Sequence, residues 1–151
     1  LVGSEMCIRD RYFTTFNDYH FNVDGDGEII YTRPLDEVPR ATYHRNTGSI
    51  AIALCCCYNA RPNDLGEYPP TEAQIETLAK MFAVIAEVFD NPIDREHFMT
   101  HGEAANDDGY GLYSGDPDCR WDLEQLCNGD EIGTGGDILR GKAQWYLENG
   151  V

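Results

Sequence analysis

TEAQIETLAKMFAVIAEVF, residues 71–89, puts Ile75, Leu78, Phe82, Ile85 and Phe89 on one stripe at helical spacing. Thr71 stands ahead of the stripe with Gln74 three residues later. That is a capping box, in which the hydroxyl accepts from the N3 amide and the N3 side chain reaches back to the N-cap amide. Asp90-Asn91-Pro92 ends the run, because proline disfavours a helical residue before it. The spacing therefore predicts an amphipathic helix over 71–89, whose apolar stripe has to cover another apolar surface.

The surface it covers lies upstream. Residues 49–57, SIAIALCCC, form a near-continuous apolar run that fits a central strand buried on both faces. Two further strands are expected at residues 19–23 and 28–32, joined by Asp24-Gly25-Asp26-Gly27, whose Asp-Gly steps suit a tight hairpin. This acidic turn is not an EF-hand, since counting from Asp24 puts Ile29 where the glycine belongs. Residues 33–47, with Pro34 and Pro39, and residues 61–70 read as surface loops. Downstream, residues 96–100 read as a short strand delivering His101 at its end, and residues 121–127 as a helical turn or two. A glycine-rich stretch at 128–136 and a last short helix over 137–148 follow. Residues 1–11, LVGSEMCIRDR, show no period of either kind and resemble translated adapter sequence from the ends of metagenomic gene assemblies. They are set aside from the fold, so any strand that preceded Tyr12 is expected to be lost. The expectation is an α/β domain with a mixed central sheet flanked by helices.

At 151 residues, with 42% hydrophobic and 11% aromatic content, the chain fits one domain with a single core. No apolar run approaches the roughly 20 residues of a membrane span. Twenty-seven acidic against eleven basic residues, a net charge of −16, argue against nucleic acid as a partner. A soluble monomer is expected. Six cysteines, Cys7, Cys55, Cys56, Cys57, Cys119 and Cys127, include a run of three and no CxxC pair. They read as reduced core thiols, not as a disulfide framework.

Residues 101–123, HGEAANDDGYGLYSGDPDCRWDL, hold the candidate chemistry. A catalytic Zn2+ takes three protein donors and leaves a fourth position to water, and His101 and Asp116 can supply two. Cys119 rivals Asp116, thiolate being the better zinc donor. His97 is a poor partner for His101: four residues apart on a strand they stand about 13 Å apart, and Glu96 lies outside the pair that an HExxH helix would need. Asp107 and Asp108 read as a solvated loop.

Taken together, these pieces resemble the zinc-dependent N-acetylmuramoyl-L-alanine amidases, the family shared by phage lysozyme-type amidases and peptidoglycan recognition proteins. The resemblance covers residues 12–127 and leaves 128–151 as a glycine-rich segment with a short helix. It rests on Tyr19-His20-Phe21 with Val23 and Gly27, Asn46 with Ser49-Ile50-Ala51-Ile52, Thr71-Glu72-Ala73-Gln74, and His101 followed by Asp116-Pro117 and Trp121-Asp122. By resemblance His101 and Asp116 match the second and third zinc ligands, and the register prefers Asp116 over Cys119. The first ligand is a histidine on the family's opening strand, upstream of the hairpin, where this chain carries only the adapter-like segment. His20 matches a histidine beside the site, His44 lies near the substrate groove, and Tyr19 matches a tyrosine that assists catalysis in phage members. Ala53 and Ser114 stand where many amidases carry a Glu and a Lys, which leaves Tyr19 and Glu103 to orient water and polarise the carbonyl. The implied function is zinc-dependent hydrolysis of the muramoyl–L-alanine amide of peptidoglycan. The alternative is a peptidoglycan recognition domain without catalysis, and either would act on the cell wall, as a phage endolysin or a secreted or periplasmic bacterial protein.

Overall fold

The computed structural model describes residues 2–5, 16–57 and 60–151. Its centre is a four-stranded mixed sheet of order β1-β4-β2-β3, formed by β1 (Val2–Glu5), β2 (Phe21–Val23), β3 (Ile29–Tyr31) and β4 (Ile52–Cys55). β4 runs parallel to both β1 and β2, while β3 returns antiparallel to β2. Among the described residues three α-helices accompany the sheet: α1 (Glu72–Phe89), α2 (His101–Asp108) and α3 (Gly135–Asn149).

The apolar run at 49–57 divides between the two faces of the sheet, as the period of two requires. Ile52 and Leu54 join Val23 in the main core, under Leu78 and Phe82 of α1 and Leu139 and Ala143 of α3. Ala51 and Ala53 lie on the other face, where they pack with Tyr19. The large side chains thus anchor the helical layer, and the small ones leave room on the face that carries the candidate site. Gln74 is fully buried and donates to the carbonyls of Val23 and Cys55, so the second residue of the capping box also ties α1 to two strands. The box itself is present in both directions.

Several expectations change. Val2–Glu5, set aside above, pairs with β4 from Val2 opposite Ile52 to Glu5 opposite Cys55, so a strand does precede the hairpin. Residues 96–100 are not a strand. The Asp94 carboxylate accepts from the His97 amide, the Phe98 amide donates to the Asp94 carbonyl, and the resulting turn leads directly into Thr100 as the N-cap of α2. Residues 121–127 form turns and no helix, because Leu123 takes a left-handed φ of 61° and the Glu124 carbonyl accepts from the amides of Gly133 and Gly135. Cys55 is disulfide-bonded, whereas Cys56, Cys57, Cys119 and Cys127 are free. Cys7 lies outside the described residues.

The glycine-rich segment has a steric reason. A Cβ on Gly135 would fall 1.9 Å from the Leu123 carbonyl oxygen, and one on Gly136 would fall 2.4 Å from Oε1 of Glu103. α3 can start against α2 only where side chains are missing.

Candidate functional site

A cavity of about 730 Å3 opens on the face opposite the main core, lined by residues that include Tyr19, Arg40, Tyr43, His101, Tyr110 and Asp116, with Asp118, Arg120 and Asp122 beside them. Tyr19 reaches it from the end of the 3-10 turn (Phe16–Asp18), its backbone carbonyl held by the Thr32 hydroxyl at 2.9 Å. His101 reaches it as the first residue of α2, one position after the cap. The Gly102 amide donates to the Asp122 carbonyl at 3.0 Å, and a Cβ at residue 102 would meet Cγ of Glu124 at 2.5 Å. Glycine there lets α2 lie close enough for His101 Nδ1 to face Asp122 Oδ2 at 3.7 Å, an electrostatic distance longer than a hydrogen bond.

Asp116 sits at the tip of the loop that Gly111 and Arg120 close by a parallel bridge. Ser114 donates its hydroxyl to the Gly111 carbonyl and accepts from the Asp116 amide, and Asp116 Oδ1 accepts from the Asp118 amide at 2.8 Å. These bonds aim an exposed carboxylate at the cavity rim. Cys119, the rival donor, is not among the residues that line it.

His20, the histidine beside the site, offers no nitrogen to a metal. It is fully buried, its Nδ1 accepts from the Ala51 amide at 3.0 Å, and its Nε2 lies 2.9 Å from the Glu37 carbonyl, to which it must donate. Both ring nitrogens are occupied, which leaves none for a metal.

Glu103 is likewise structural. Its carboxylate accepts from the Thr100 amide at 2.9 Å and from Arg140 through both guanidinium nitrogens at 2.9 and 2.7 Å, inside the interface between α2 and α3 and outside the cavity lining. The catalytic role expected of it is therefore withdrawn in favour of an N-terminal cap and a buried ion pair. Its signal, Thr100 followed three residues later by Glu103, is the capping-box spacing. Asp107 and Asp108 also differ from expectation: they form the last turn of α2 and pair with Arg95 and Arg45. His97 pairs with Asp94 at 2.7 Å, the structural place expected of it, and His44 is exposed with its ring against Tyr43.

The donors available to a metal are thus His101 and Asp116, with Asp118 and Asp122 nearby. Among the described residues no three His, Cys, Asp or Glu side chains come together into a metal-holding group. The residues present fit two positions of a catalytic zinc and do not complete the third. Tyr110, Arg40, Arg120 and Asp118 belong to the cavity without any signal in the sequence. Tyr110 stands against His101 with ring centroids 6.4 Å apart, and burial together with the charge of Asp108 raises its phenol above the usual tyrosine range.

The fold and cavity define an α/β domain whose site combines imidazole, carboxylate and phenol donors, with the imidazole at the start of α2. The sequence profile of the N-acetylmuramoyl-L-alanine amidase family matches residues 4–117, and the chain belongs to that family. Neither the curated proteins nor the solved structures include a match to this chain. Its role is accordingly of the peptidoglycan amidase type. Among the described residues no helix is long and apolar enough to cross a membrane.

Proposed function

We propose that the chain hydrolyses the amide joining the lactyl group of N-acetylmuramic acid to L-alanine, acting as a monomer on the bacterial cell wall. The observation that supports this reading is that Tyr19, His101 and Asp116, from three separate stretches, line one cavity in a chain of the amidase family. His101 and Asp116 would hold two positions of a zinc ion, which would supply an activated water and a Lewis acid for the carbonyl. The chain's own groups then divide the remaining work. The Asp122 carboxylate lies 3.7 Å from Nδ1 of His101, so its charge would favour a metal at the other ring nitrogen, Nε2. Tyr19 donates its hydroxyl to the oxygen that becomes negative as the carbonyl is attacked. The test is to incubate the full chain and zinc with purified peptidoglycan and assay new N-terminal L-alanine. If none is released, cleavage is excluded.

One observation favours the second reading, recognition without cleavage. The described residues provide two metal donors, and Ala53 and Ser114 replace the helpers expected from the family pattern. Stoichiometric zinc that survives dialysis supports cleavage. Sedimentation of the zinc-free chain with peptidoglycan, with no L-alanine released, supports recognition.

A further inference from the structure

Nine of the eleven Lys and Arg residues fall within the described segments. Six of these are in ion pairs, and Lys80 lies over the ring of Tyr146. The two that remain are Arg40 and Arg120, and both line the same cavity as Tyr19 and His101. In a chain with 27 acidic residues an unpaired guanidinium is the exception, and two on one cavity are not explained by solubility. Arg120 lies between Asp118 and Asp122 in sequence yet pairs with neither.

Backbone bonds hold both arginines at the rim. The Arg40 amide donates to the Asp18 carbonyl at 2.8 Å, and the Arg120 amide to the Tyr110 carbonyl at 3.0 Å. Each guanidinium is exposed and presents its planar fork of donors to whatever enters. That fork matches a carboxylate, which it holds by two parallel charge-assisted bonds. Asp116, Asp118 and Asp122 on the same cavity oppose an anion, so a carboxylate is held there only through the arginines.

We infer that Arg40 and Arg120 are specificity-determining residues that make this cavity select muropeptides carrying a free carboxylate on the peptide over those in which it is amidated. This rests on the peptidoglycan reading above and names the substrate class within it.

The test uses the full chain and two probes that differ at one group, N-acetylmuramoyl-L-alanyl-D-isoglutamine, whose γ-carboxylate is free, and its γ-amide, which has no free carboxylate, titrated calorimetrically. The wild type is expected to bind the carboxylate form roughly tenfold more tightly, the worth of one charge-assisted contact. Arg40→Gln and Arg120→Gln each reduce that preference, and the double variant abolishes it while its affinity for the γ-amide probe is unchanged. Both side chains are exposed and break no ion pair, so the variants retain the fold. Equal affinity of the wild type for both probes, or a preference that survives in the double variant, overturns the inference and leaves the peptidoglycan reading standing. Failure of the wild type to bind either probe overturns both.

Discussion

Tyr110 contributes a ring to the cavity wall beside His101 and a buried hydroxyl that has no hydrogen-bond partner among the described residues. A hydroxyl taken out of water and left unbonded costs about 1–3 kcal/mol. Tyr110→Phe keeps the ring and removes that cost, so the melting temperature should rise, by about 2–4 °C per kcal/mol for a chain of this size. A lower melting temperature would show that the hydroxyl is satisfied in solution. Tyr19→Phe asks the complementary question about function. Losing one donor to a developing oxyanion typically costs about 100-fold or more in kcat, so the variant should release L-alanine at about 1% of the wild-type rate. Equal rates would remove Tyr19 from the chemistry. Glu124 gives a pH-dependent case. It is buried, and burial, reinforced by the charge of Glu103, raises its carboxyl above the usual range against the opposing hydrogen bond from Asn106. A carboxyl raised in the folded state binds its proton more tightly there, so stability falls as the pH rises through that folded value. Glu124→Gln keeps the oxygen that accepts from Asn106 and abolishes the charge. Its melting temperature should exceed the wild type's at pH 8, with the difference shrinking as the pH is lowered towards 4. Melts across that range would show a constant offset if the charge did not matter.

Two helices begin with the same device and use it differently. Thr71 and Gln74 cap α1, a helix of 18 residues that buries Ile75, Leu78 and Phe82, each worth about 1.5–3 kcal/mol, so the cap is a small share of what holds it. Thr100 and Glu103 cap α2, which has eight residues and is too short to persist without tertiary support. Thr71→Ala should cost about 1 kcal/mol, seen as a small fall in melting temperature. Thr100→Ala strands the buried Glu103 amide, whose partner is the Thr100 hydroxyl at 3.1 Å, and should cost more. Because His101 follows Thr100, that variant alone should also weaken muropeptide binding, which titration of both variants would reveal. These elements show why part of the fold was legible in the sequence. The α1 stripe, its cap and the Asp-Gly hairpin are local signals, written within a few residues of one another. The ion pair between Glu103 and Arg140 spans 37 positions, and nothing near either residue announces it. Thr100 and Glu103 stand at capping-box spacing, a local signal for a helix start at Thr100 and against a strand over 96–100. Within the site, His101, Asp116 and Tyr19 were legible through the family pattern, whereas Arg40, Tyr110 and Arg120 meet only through tertiary structure.

The molecule as a whole carries a net charge of −16, and six of the nine basic residues within the described segments are committed to ion pairs. The remaining acidic side chains repel one another across a domain of modest size, and this repulsion favours the expanded, unfolded chain. Added salt acts on two opposed terms. It weakens exposed pairs such as Arg61–Asp64, each worth about 0–1 kcal/mol, and it also screens the excess negative charge. Six pairs cannot balance an excess of sixteen charges, and the most buried of them, Arg140–Glu103, is little reached by salt. The net effect should therefore be stabilisation. The melting temperature is expected to rise as sodium chloride is raised from about 10 mM to about 150 mM, where the Debye length has fallen to about 8 Å, and to level off above that. Thermal melts across this series at pH 7 check it, and a melting temperature that falls with salt would mean that the surface pairs outweigh the excess charge.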